Sequence, residues 1–215
     1  NRERQLTVIF AHKSSLAKQI NIALVGNPNS GKSSLFNYLT GLNQQVGNFP
    51  GVTVDKKMGQ SHIAAGLSAT IIDLPGSYSL YPKRSDEWVA YRVLLNQDAT
   101  IKPDLVLLVA DASNLKRNLL FCSQIIDLNI PVVVALTMMD LAKRKGTQVD
   151  IPGLERELGV PIVPINPRKN KGLEQLKKVI EQSSENLYQP PSRDFIDNSA
   201  LAVTAITRVK EHYPE

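Results

Sequence analysis

The stretch that decides the fold is Gly26-Asn27-Pro28-Asn29-Ser30-Gly31-Lys32-Ser33. It matches the pattern G-x-x-x-x-G-K-[ST], and it stands between an apolar run and an amphipathic stretch of helical length. Glycines let a backbone wrap closely around a polyphosphate, and the amides at a helix N-terminus point at its anionic oxygens. A chance glycine-rich turn is the alternative, but the strand–loop–helix context argues against it. The stretch therefore predicts a phosphate-binding loop in which Lys32 reaches the β- and γ-phosphates and Ser33 ligates Mg²⁺.

On either side of this loop, apolar runs alternate with amphipathic stretches, which is typical of a parallel sheet covered on both faces. Between two of these runs, a tight turn at Ala65-Gly66 predicts an antiparallel hairpin. The predicted strands are Asn21–Val25, Val54–Ile63, Ser68–Asp73, Leu105–Asp111, Val132–Thr137 and Ile162–Ile165. The predicted helices are Lys32–Leu39, Asp86–Asn96, Asn114–Leu128, Leu154–Leu158 and Leu173–Gln182. We therefore predict an α/β fold with a mostly parallel six-stranded sheet, one antiparallel edge strand and helices on both faces.

A second motif, Asp73-Leu74-Pro75-Gly76, directly follows the third predicted strand. Asp73 would hold Mg²⁺ through water, and the Gly76 amide would sense a γ-phosphate. A D-x-x-G string alone is a common turn, and its distance from the phosphate loop is what makes it informative. Thr53 lies between the two motifs. It is either an ordinary β-branched residue that opens a strand or a first-switch ligand of Mg²⁺, and the neighbouring motifs favour the switch.

The third motif, Thr137-Met138-Met139-Asp140, lies where GTPases have N-K-x-D. A carboxylate at Asp140 accepts hydrogen bonds from the guanine N1–H and 2-amino groups, which adenine cannot supply. The chain departs from the usual pattern twice. Thr137 replaces asparagine and is expected to lose contacts to the base and to the phosphate loop. The later base-lining loop, Asn166-Pro167-Arg168, lacks a backbone amide at Pro167. We predict guanine specificity with weakened affinity.

Together the three motifs predict a P-loop GTPase fold that binds GTP or GDP with Mg²⁺. The predicted Mg²⁺ ligands are Ser33, Thr53 and Asp73. The predicted nucleotide-binding residues are Gly26, Asn27, Pro28, Asn29, Ser30, Gly31, Lys32, Ser33, Ser34, Thr53, Asp73, Gly76, Thr137, Met138, Asp140, Asn166, Pro167 and Arg168.

Composition narrows the class of protein. The 215 residues include 25 Lys and Arg and 20 Asp and Glu, spread without a long basic block, so the net charge of +5 is a weak argument for nucleic-acid binding. The single cysteine, Cys122, lies in an apolar stretch and is expected to be a buried core residue. No apolar run approaches the roughly 20 residues that span a membrane, so we expect this chain to be soluble.

The chain resembles the ferrous-iron transport protein B family from about Ile22 to Gln182. The resemblance rests on the phosphate loop and its continuation to Asn37, on Asn114–Leu119, and on two more selective strings. Those strings are Asn48-Phe49-Pro50-Gly51-Val52-Thr53-Val54 and Asp73-Leu74-Pro75-Gly76-Ser77-Tyr78-Ser79-Leu80. The resemblance implies a G domain, then a small helical domain, then a polytopic membrane region that carries Fe²⁺ inward.

The same resemblance implies activation by K⁺. Ser77 stands where Ras-like proteins keep a water-orienting glutamine, so we expect slow intrinsic hydrolysis. Family members with an asparagine that matches Asn29 place K⁺ among that side chain, the phosphates and carbonyls that match Gly47 and Phe49. A polar turn residue is the alternative role for Asn29. The predicted catalytic residues are Asn29, Lys32, Thr53 and Gly76.

Three segments follow from these patterns. Residues 1–20 form a leader or linker of mixed charge, residues 21–183 form the GTP-binding G domain, and residues 184–215 form a linker and the start of a truncated helical domain. A first residue other than Met predicts a piece of a longer protein. The resemblance implies the cytoplasmic face of the bacterial inner membrane, with the helical and membrane domains as partners. Self-association as a homo-oligomer stays open.

Two other functions remain as alternatives. An RNA- or ribosome-associated GTPase would suit the basic charge, but such proteins usually carry an RNA-binding module, and none is evident here. The second alternative is an ATP-using P-loop enzyme. Asp140 argues against it, although Thr137 in place of the usual asparagine weakens that argument. Neither iron-binding nor other metal-binding clusters of Cys and His are visible in the sequence.

Overall fold

A computed structural model describes residues 18–42, 44–49, 54–96 and 101–185. Within these ranges the strands are β1 Lys18–Gly26, β2 Gln44–Asn48, β3 Asp55–Ala64, β4 Leu67–Asp73, β5 Leu105–Asp111, β6 Val132–Thr137 and β7 Ile162–Pro164. The helices are α1 Lys32–Thr40, α2 Glu87–Leu94, α3 Leu115–Ile126, α4 Met139–Arg144, α5 Ile151–Leu158 and α6 Leu173–Glu185. Short 3₁₀ turns cover Ala112–Asn114 and Pro167–Lys169.

In the part of the chain that the structure describes, all seven strands form one sheet in the order β2-β3-β4-β1-β5-β6-β7. The pairs from β4 to β7 are parallel, whereas β3 pairs antiparallel with both β2 and β4. The α/β fold is therefore confirmed, but the predicted six strands and single antiparallel edge strand are wrong in detail. The antiparallel strand β3 is not the edge, because β2 covers it.

Each face of the sheet carries its own apolar core, and alternate residues of β1 enter opposite cores. Ile22 and Leu24 pack with α1 and α6, through residues such as Leu35 and Leu176. Ala23 and Val25 face the other way, toward the side chains of α2, α3 and α5. Burying one such Leu or Ile stabilises the fold by about 1.5–3 kcal/mol. The helices on both faces thus hold the strand ends, and the loops after them, in fixed positions.

Local capping explains where α5 begins. The sequence pattern predicted a start at Leu154, but the helix begins at Ile151. The Asp150 side chain accepts a hydrogen bond from the Gly153 amide at 3.0 Å, and Pro152 stands in the first turn, where its missing N–H costs nothing. Gly159 ends the helix in the left-handed region, with φ of 68°. An aspartate two residues before a proline was thus the overlooked start signal.

Two of the predicted segments fall mainly outside the described residues. The leader is described only from Lys18, where β1 begins, and residues 186–215 are not described. The first-switch Thr53 also lies outside these ranges.

Candidate functional site

A pocket of about 810 Å³ opens where the loops after β1, β4, β6 and β7 meet. In sheets of this class, ligands bind in the crevice outside the carboxyl ends of the parallel strands. The pocket is lined by Asn27, Pro28, Asn29, Gly31, Lys32, Ser33, Ser34, Gly76, Arg84, Asp86, Thr137, Met138, Asp140, Leu141, Arg144, Ile165, Asn166, Pro167, Arg168 and Lys169. Segments far apart in sequence, predicted to bind phosphate and base, therefore share one cavity.

The phosphate end of the pocket is the start of α1. Gly31 precedes this helix with φ of 93°, a backbone conformation that glycine adopts without steric cost. No side chain caps the helix, so its first amides remain free to face an anion. The Lys32 ammonium contacts the Asp73 carboxylate, and both side chains are largely buried. A cation, free amides and a carboxylate thus lie together, as a phosphate and its metal ion require.

The phosphate loop also contains buried polar atoms that have no hydrogen-bond partner among the described residues. These are both polar atoms of the Asn27 side chain and the Ser30 hydroxyl. Asn27 is 4% exposed and Ser30 is 1% exposed. Buried polar groups in folded proteins are paired in the large majority of cases. Apart from the Ser61 hydroxyl on β3, the unpaired buried side-chain atoms of the described residues therefore lie in the loop that the sequence predicts to bind a ligand.

Gly76 approaches the phosphate loop so closely that a side chain would not fit freely. A Cβ atom at Gly76 would lie 3.2 Å from the Pro28 nitrogen and 3.4 Å from the Gly26 carbonyl oxygen. At Gly26 the space is smaller still, since a Cβ atom would lie 2.6 Å from the Val109 carbonyl oxygen. Close backbone contact therefore requires glycine at position 26, whereas a Cβ atom at position 76 would fit only if its neighbours shifted by a few tenths of an ångström. The D-x-x-G segment touches the phosphate loop directly.

The residue after Gly76 turns away from the pocket. Ser77 is 3% exposed, and its hydroxyl donates a hydrogen bond to the Ser79 carbonyl oxygen at 2.6 Å. The Ser79 amide donates back to the Ser77 hydroxyl oxygen at 3.3 Å. Ser77 is also absent from the pocket wall. Its side chain is occupied within its own turn and cannot replace a water-orienting glutamine.

The base end of the pocket is formed by the end of β6 and the first turn of α4. Asp140 reaches the pocket wall with a side chain that is 47% exposed, and its carboxylate lies 3.8 Å from the Arg144 guanidinium. Such an exposed pair contributes little stability and yields readily to another donor. Thr137 is buried, and its hydroxyl donates to the Ser30 carbonyl oxygen at 2.6 Å. The expectation that Thr137 loses contact with the phosphate loop is therefore wrong.

The second base-lining loop is a 3₁₀ turn after β7. The Asn166 side chain accepts a hydrogen bond from the Lys169 amide at 3.1 Å and so caps this turn. Pro167 stands at its first position, where a missing N–H does not disturb the turn. Asn166, Pro167 and Arg168 all line the pocket, as the sequence predicted.

Several predicted residues lie elsewhere. Asp73 borders an adjoining cavity that shares Lys32 with the main pocket. Gly26 and Ser30 lie behind the pocket wall, as parts of the loop's backbone turn. Gly47 lies on the exposed edge strand β2 and Phe49 just after it, and neither lines the pocket. Of the three predicted K⁺ ligands, the pocket wall therefore contains Asn29 alone.

Sequence reasoning missed Arg84 and Asp86, which line the pocket from the segment before α2. The exposed Arg84 side chain forms ion pairs with Asp86 at 3.3 Å and with the largely buried Glu87 side chain at 3.5 Å. No motif marks these positions, and only the path of the chain after Gly76 places them here. Among the described residues, no cluster of three or more His, Cys, Asp or Glu side chains could hold a metal ion, and no helix is long and apolar enough to cross a membrane.

The sheet order, the loop from β1 to α1 and the paired base-lining loops define a P-loop GTPase, in the form of a G domain. A family model described as ferrous iron transport protein B matches residues 20–180, and the chain belongs to this family.

The similar proteins include one curated sequence and two solved structures. The Fe(2+) transporter FeoB of Salmonella typhimurium is 44% identical over 173 residues, covering 79% of this chain and 22% of that protein. The crystal structure of the G domain of the T. maritima FeoB iron transporter is 41% identical, with a TM-score of 0.70, covering 78% of this chain and 99% of that one. A mutant of S. thermophilus NFeoB bound to GDP is 41% identical, with a TM-score of 0.73, covering 89% of this chain and 72% of that one. This chain thus spans about a fifth of the curated relative's length.

Proposed function

We propose that this chain binds guanine nucleotides and hydrolyses GTP to GDP and phosphate, as the G domain of a bacterial ferrous-iron transporter. The observation that carries the proposal is a single cavity with Lys32 and the uncapped start of α1 at one end and Asp140 at the other. A diphosphate or triphosphate and a base need these two kinds of contact together. The GDP in the S. thermophilus relative supports the same ligand class.

Guanine selection rests on Asp140. A carboxylate accepts hydrogen bonds from the guanine N1–H and 2-amino groups, whereas adenine presents an acceptor at N1 and would leave the carboxylate unpaired. The Asp140 side chain is free to do this, because its ion pair with Arg144 is long and exposed. Pro167 has no N–H to offer the base, so the opposite loop contributes fewer hydrogen bonds than usual.

Mg²⁺ fits the donor set at the phosphate end. Ser33 offers a hydroxyl on the pocket wall, and Asp73 offers a carboxylate beside Lys32. Hydroxyl and carboxylate oxygens are the ligands that Mg²⁺ prefers in nucleotide sites. When bound there, the ion would neutralise phosphate charge, and Thr53 would complete its ligand set.

Catalysis by the chain's own groups is electrostatic. Lys32 and the first amides of α1 face the phosphate end, where negative charge develops during transfer of the γ-phosphoryl group. The Gly76 amide would hold a γ-phosphate oxygen. Ser77 offers no group to orient water, because its hydroxyl is bonded to Ser79. We therefore propose a slow intrinsic rate.

K⁺ stimulation forms part of the same proposal and rests on Asn29. This residue lies on the pocket wall in the left-handed region, with φ of 64°, and carries a side-chain oxygen that a monovalent cation can use. Gly47 and Phe49 would have to approach the pocket to complete the site.

The whole protein provides the context for this activity. Because the chain spans about a fifth of its curated relative, we propose that residues 184–215 lead into a helical domain and then a membrane transport domain for Fe²⁺. The G domain would lie at the cytoplasmic face of the bacterial inner membrane.

Titration of GDP, GTP and ATP against the chain by calorimetry tests the proposal, with phosphate release measured in parallel. We expect GDP and GTP to bind more tightly than ATP and phosphate to be released from GTP. Equal affinity for GTP and ATP would contradict the guanine assignment, and binding without phosphate release would contradict the enzymatic one.

A further inference from the structure

Thr137 lies at the end of β6, and its hydroxyl is committed to the protein. The residue is 2% exposed. Its Oγ1 atom lies 2.6 Å from the Ser30 carbonyl oxygen and 3.1 Å from the Ala110 carbonyl oxygen. Both partners are acceptors, and a hydroxyl has a single proton to donate. The proton is therefore held by the backbone, chiefly by Ser30 at the shorter distance, and is not available to a base.

The methyl group of the same side chain lies beside the next residue of the phosphate loop. The Thr137 Cγ2 atom is 3.6 Å from the position that a Cβ atom would take if Gly31 had one. The hydroxyl thus contacts Ser30, and the methyl group borders the open side of Gly31. These are the two residues that immediately precede Lys32.

The hydrogen bond to Ser30 has a geometric consequence for the pocket. The Ser30 carbonyl and the Gly31 amide belong to the same peptide unit, which is planar and trans, so the C=O and N–H bonds point in opposite directions. A carbonyl held toward Thr137 therefore directs the Gly31 N–H away from Thr137. Gly31 lines the pocket, and amides at this place in the loop are the groups that receive phosphate oxygens.

We propose that Thr137 is a positioning residue for the phosphate-binding loop and does not read the base. The inference rests on the proposed nucleotide binding and leaves Thr137 with one of the two contacts expected at its place in the motif, the one to the phosphate loop, without the one to the base. Loss of its hydroxyl would free the peptide between Ser30 and Gly31 to rotate. Affinity would then fall by the same factor for every nucleoside diphosphate, because the phosphates are common to all of them. Base preference would stay with Asp140.

Three variants separate the contacts. Thr137→Val keeps a methyl group and removes the hydroxyl, whereas Thr137→Ser keeps the hydroxyl and removes the methyl group. Thr40→Val is the matched control, because the buried Thr40 hydroxyl donates a similar bond to the Phe36 carbonyl oxygen at 2.9 Å, away from the pocket. It should lower thermal stability without changing nucleotide affinity.

Dissociation constants for GDP, inosine diphosphate and ADP are measured by competition against a fluorescent guanine nucleotide, beside the thermal midpoint of each variant. We expect Thr137→Val to weaken all three by about tenfold, as loss of a buried hydrogen bond does, with their ratios unchanged. We expect Thr137→Ser to remain within about threefold of the native affinity, since its hydroxyl is retained. Should the valine variant fail to fold, Thr137→Ala is compared with Thr137→Ser. Both variants lack the methyl group, so the difference between their affinities measures the effect of the hydroxyl.

Two results would overturn the inference. One is native affinity in the variants that lack the hydroxyl. The other is a loss confined to GDP, which would mean that Thr137 reads the base. A native chain that binds none of the nucleotides would instead overturn the proposed function and this inference with it.

Discussion

Gln124 of α3 accepts a hydrogen bond from the Leu80 backbone amide, with an oxygen-to-nitrogen distance of 2.8 Å. The same side-chain oxygen accepts a second bond from the Ser79 hydroxyl at 3.1 Å. One face of α3 also holds Arg117, whose guanidinium lies 3.7 Å from the centre of the Tyr78 ring. The segment that follows Gly76 is thus fastened to α3 at two points.

Gln124→Leu should destabilise the fold, because it leaves the Leu80 amide without its acceptor in a partly buried position. The expected cost is about 1–3 kcal/mol, which corresponds to a fall in the thermal midpoint of about 2–4 °C for each kcal/mol. Thermal unfolding followed by circular dichroism measures it. Ser123→Ala is the control on the same helix, because within the described part of the chain the Ser123 hydroxyl bonds only to Leu120, in its own helical turn. Equal midpoints for the two variants would mean that the contact contributes nothing.

Lys32→Ala should abolish binding of the phosphates, because it removes the cation at the phosphate end of the pocket. The fold should persist with some loss of stability, since the variant leaves the Asp73 carboxylate without its partner. Calorimetric titration with GTP measures the first effect and circular dichroism the second. Lys178→Ala, on the exposed side of α6, should change neither. Unchanged GTP affinity in the Lys32 variant would contradict the site assignment.

Asp140→Ala should lower the preference for guanine more than it lowers affinity for a triphosphate, because the contact proposed for Asp140 is with the base and not with the phosphates. The ratio of GTP to ATP affinities measures this. Asp140→Asn is a sharper variant. Its amide can accept from N1–H and donate to the 2-oxo group of xanthine, so preference should move from guanosine toward xanthosine nucleotides. Equal losses for GTP and ATP would show that Asp140 acts on the loop and not on the base.

Cys122 should make stability depend on pH above 9. Burial raises the pKa of this thiol from 9.0 to about 12. The unfolded chain then ionises first as the pH rises, so the stabilisation is complete below pH 9 and is lost progressively toward pH 12. The loss should approach about 1.4 kcal/mol per pH unit above the unfolded pKa. Urea unfolding at several alkaline pH values measures it, with Cys122→Ala as the variant that lacks this component. If the free energy of unfolding falls with pH at the same rate in both proteins, the proposed effect of the buried thiol is wrong.

The strands buried on both faces were predictable because burial leaves a continuous apolar run. β5 and β6 match their predicted ranges Leu105–Asp111 and Val132–Thr137. The edge strand β2 has no such signal, since all of its residues are exposed and it begins Gln44-Gln45. It is held by backbone pairing with β3, and backbone pairing leaves little trace in side-chain pattern.

The residues of the candidate site were predictable where they belong to a motif with fixed spacing between its residues. The phosphate loop and Asp140 both line the pocket, and each motif follows a strand that ends at the same edge. The contact between Thr137 and the phosphate loop was not predictable, because the hydroxyl bonds to Ser30, a residue 107 positions away in the chain. Arg84 and Asp86 were missed for the same reason: their place in the pocket depends on how the chain returns after Gly76.

Exchange of Na⁺ for K⁺ should raise the rate of GTP hydrolysis by on the order of tenfold or more. Three observations motivate this hypothesis: Asn29 lies on the pocket wall, Ser77 cannot orient water, and Gly47 and Phe49 carry carbonyls on the neighbouring strand segment. A cation beside the β–γ bridge would stabilise charge as an arginine finger does. The rates must be compared at constant ionic strength, because screening alone alters binding at charged sites.

The response should also depend on ion size and on the Asn29 side chain. Fixed oxygens select an ion by the space between them, so Rb⁺ should substitute for K⁺ better than Li⁺ does. Asn29 has φ of 64°, where alanine is strained, so Asn29→Gly removes the side chain more cleanly than Asn29→Ala. Asn129→Gly makes the same change at φ of 57°, outside the pocket, and should keep the response. Asn29→Gly should lose the potassium response while GDP affinity changes little. Equal rates in K⁺ and Na⁺, both here and in a longer chain that includes the helical domain, would contradict the proposed ion site.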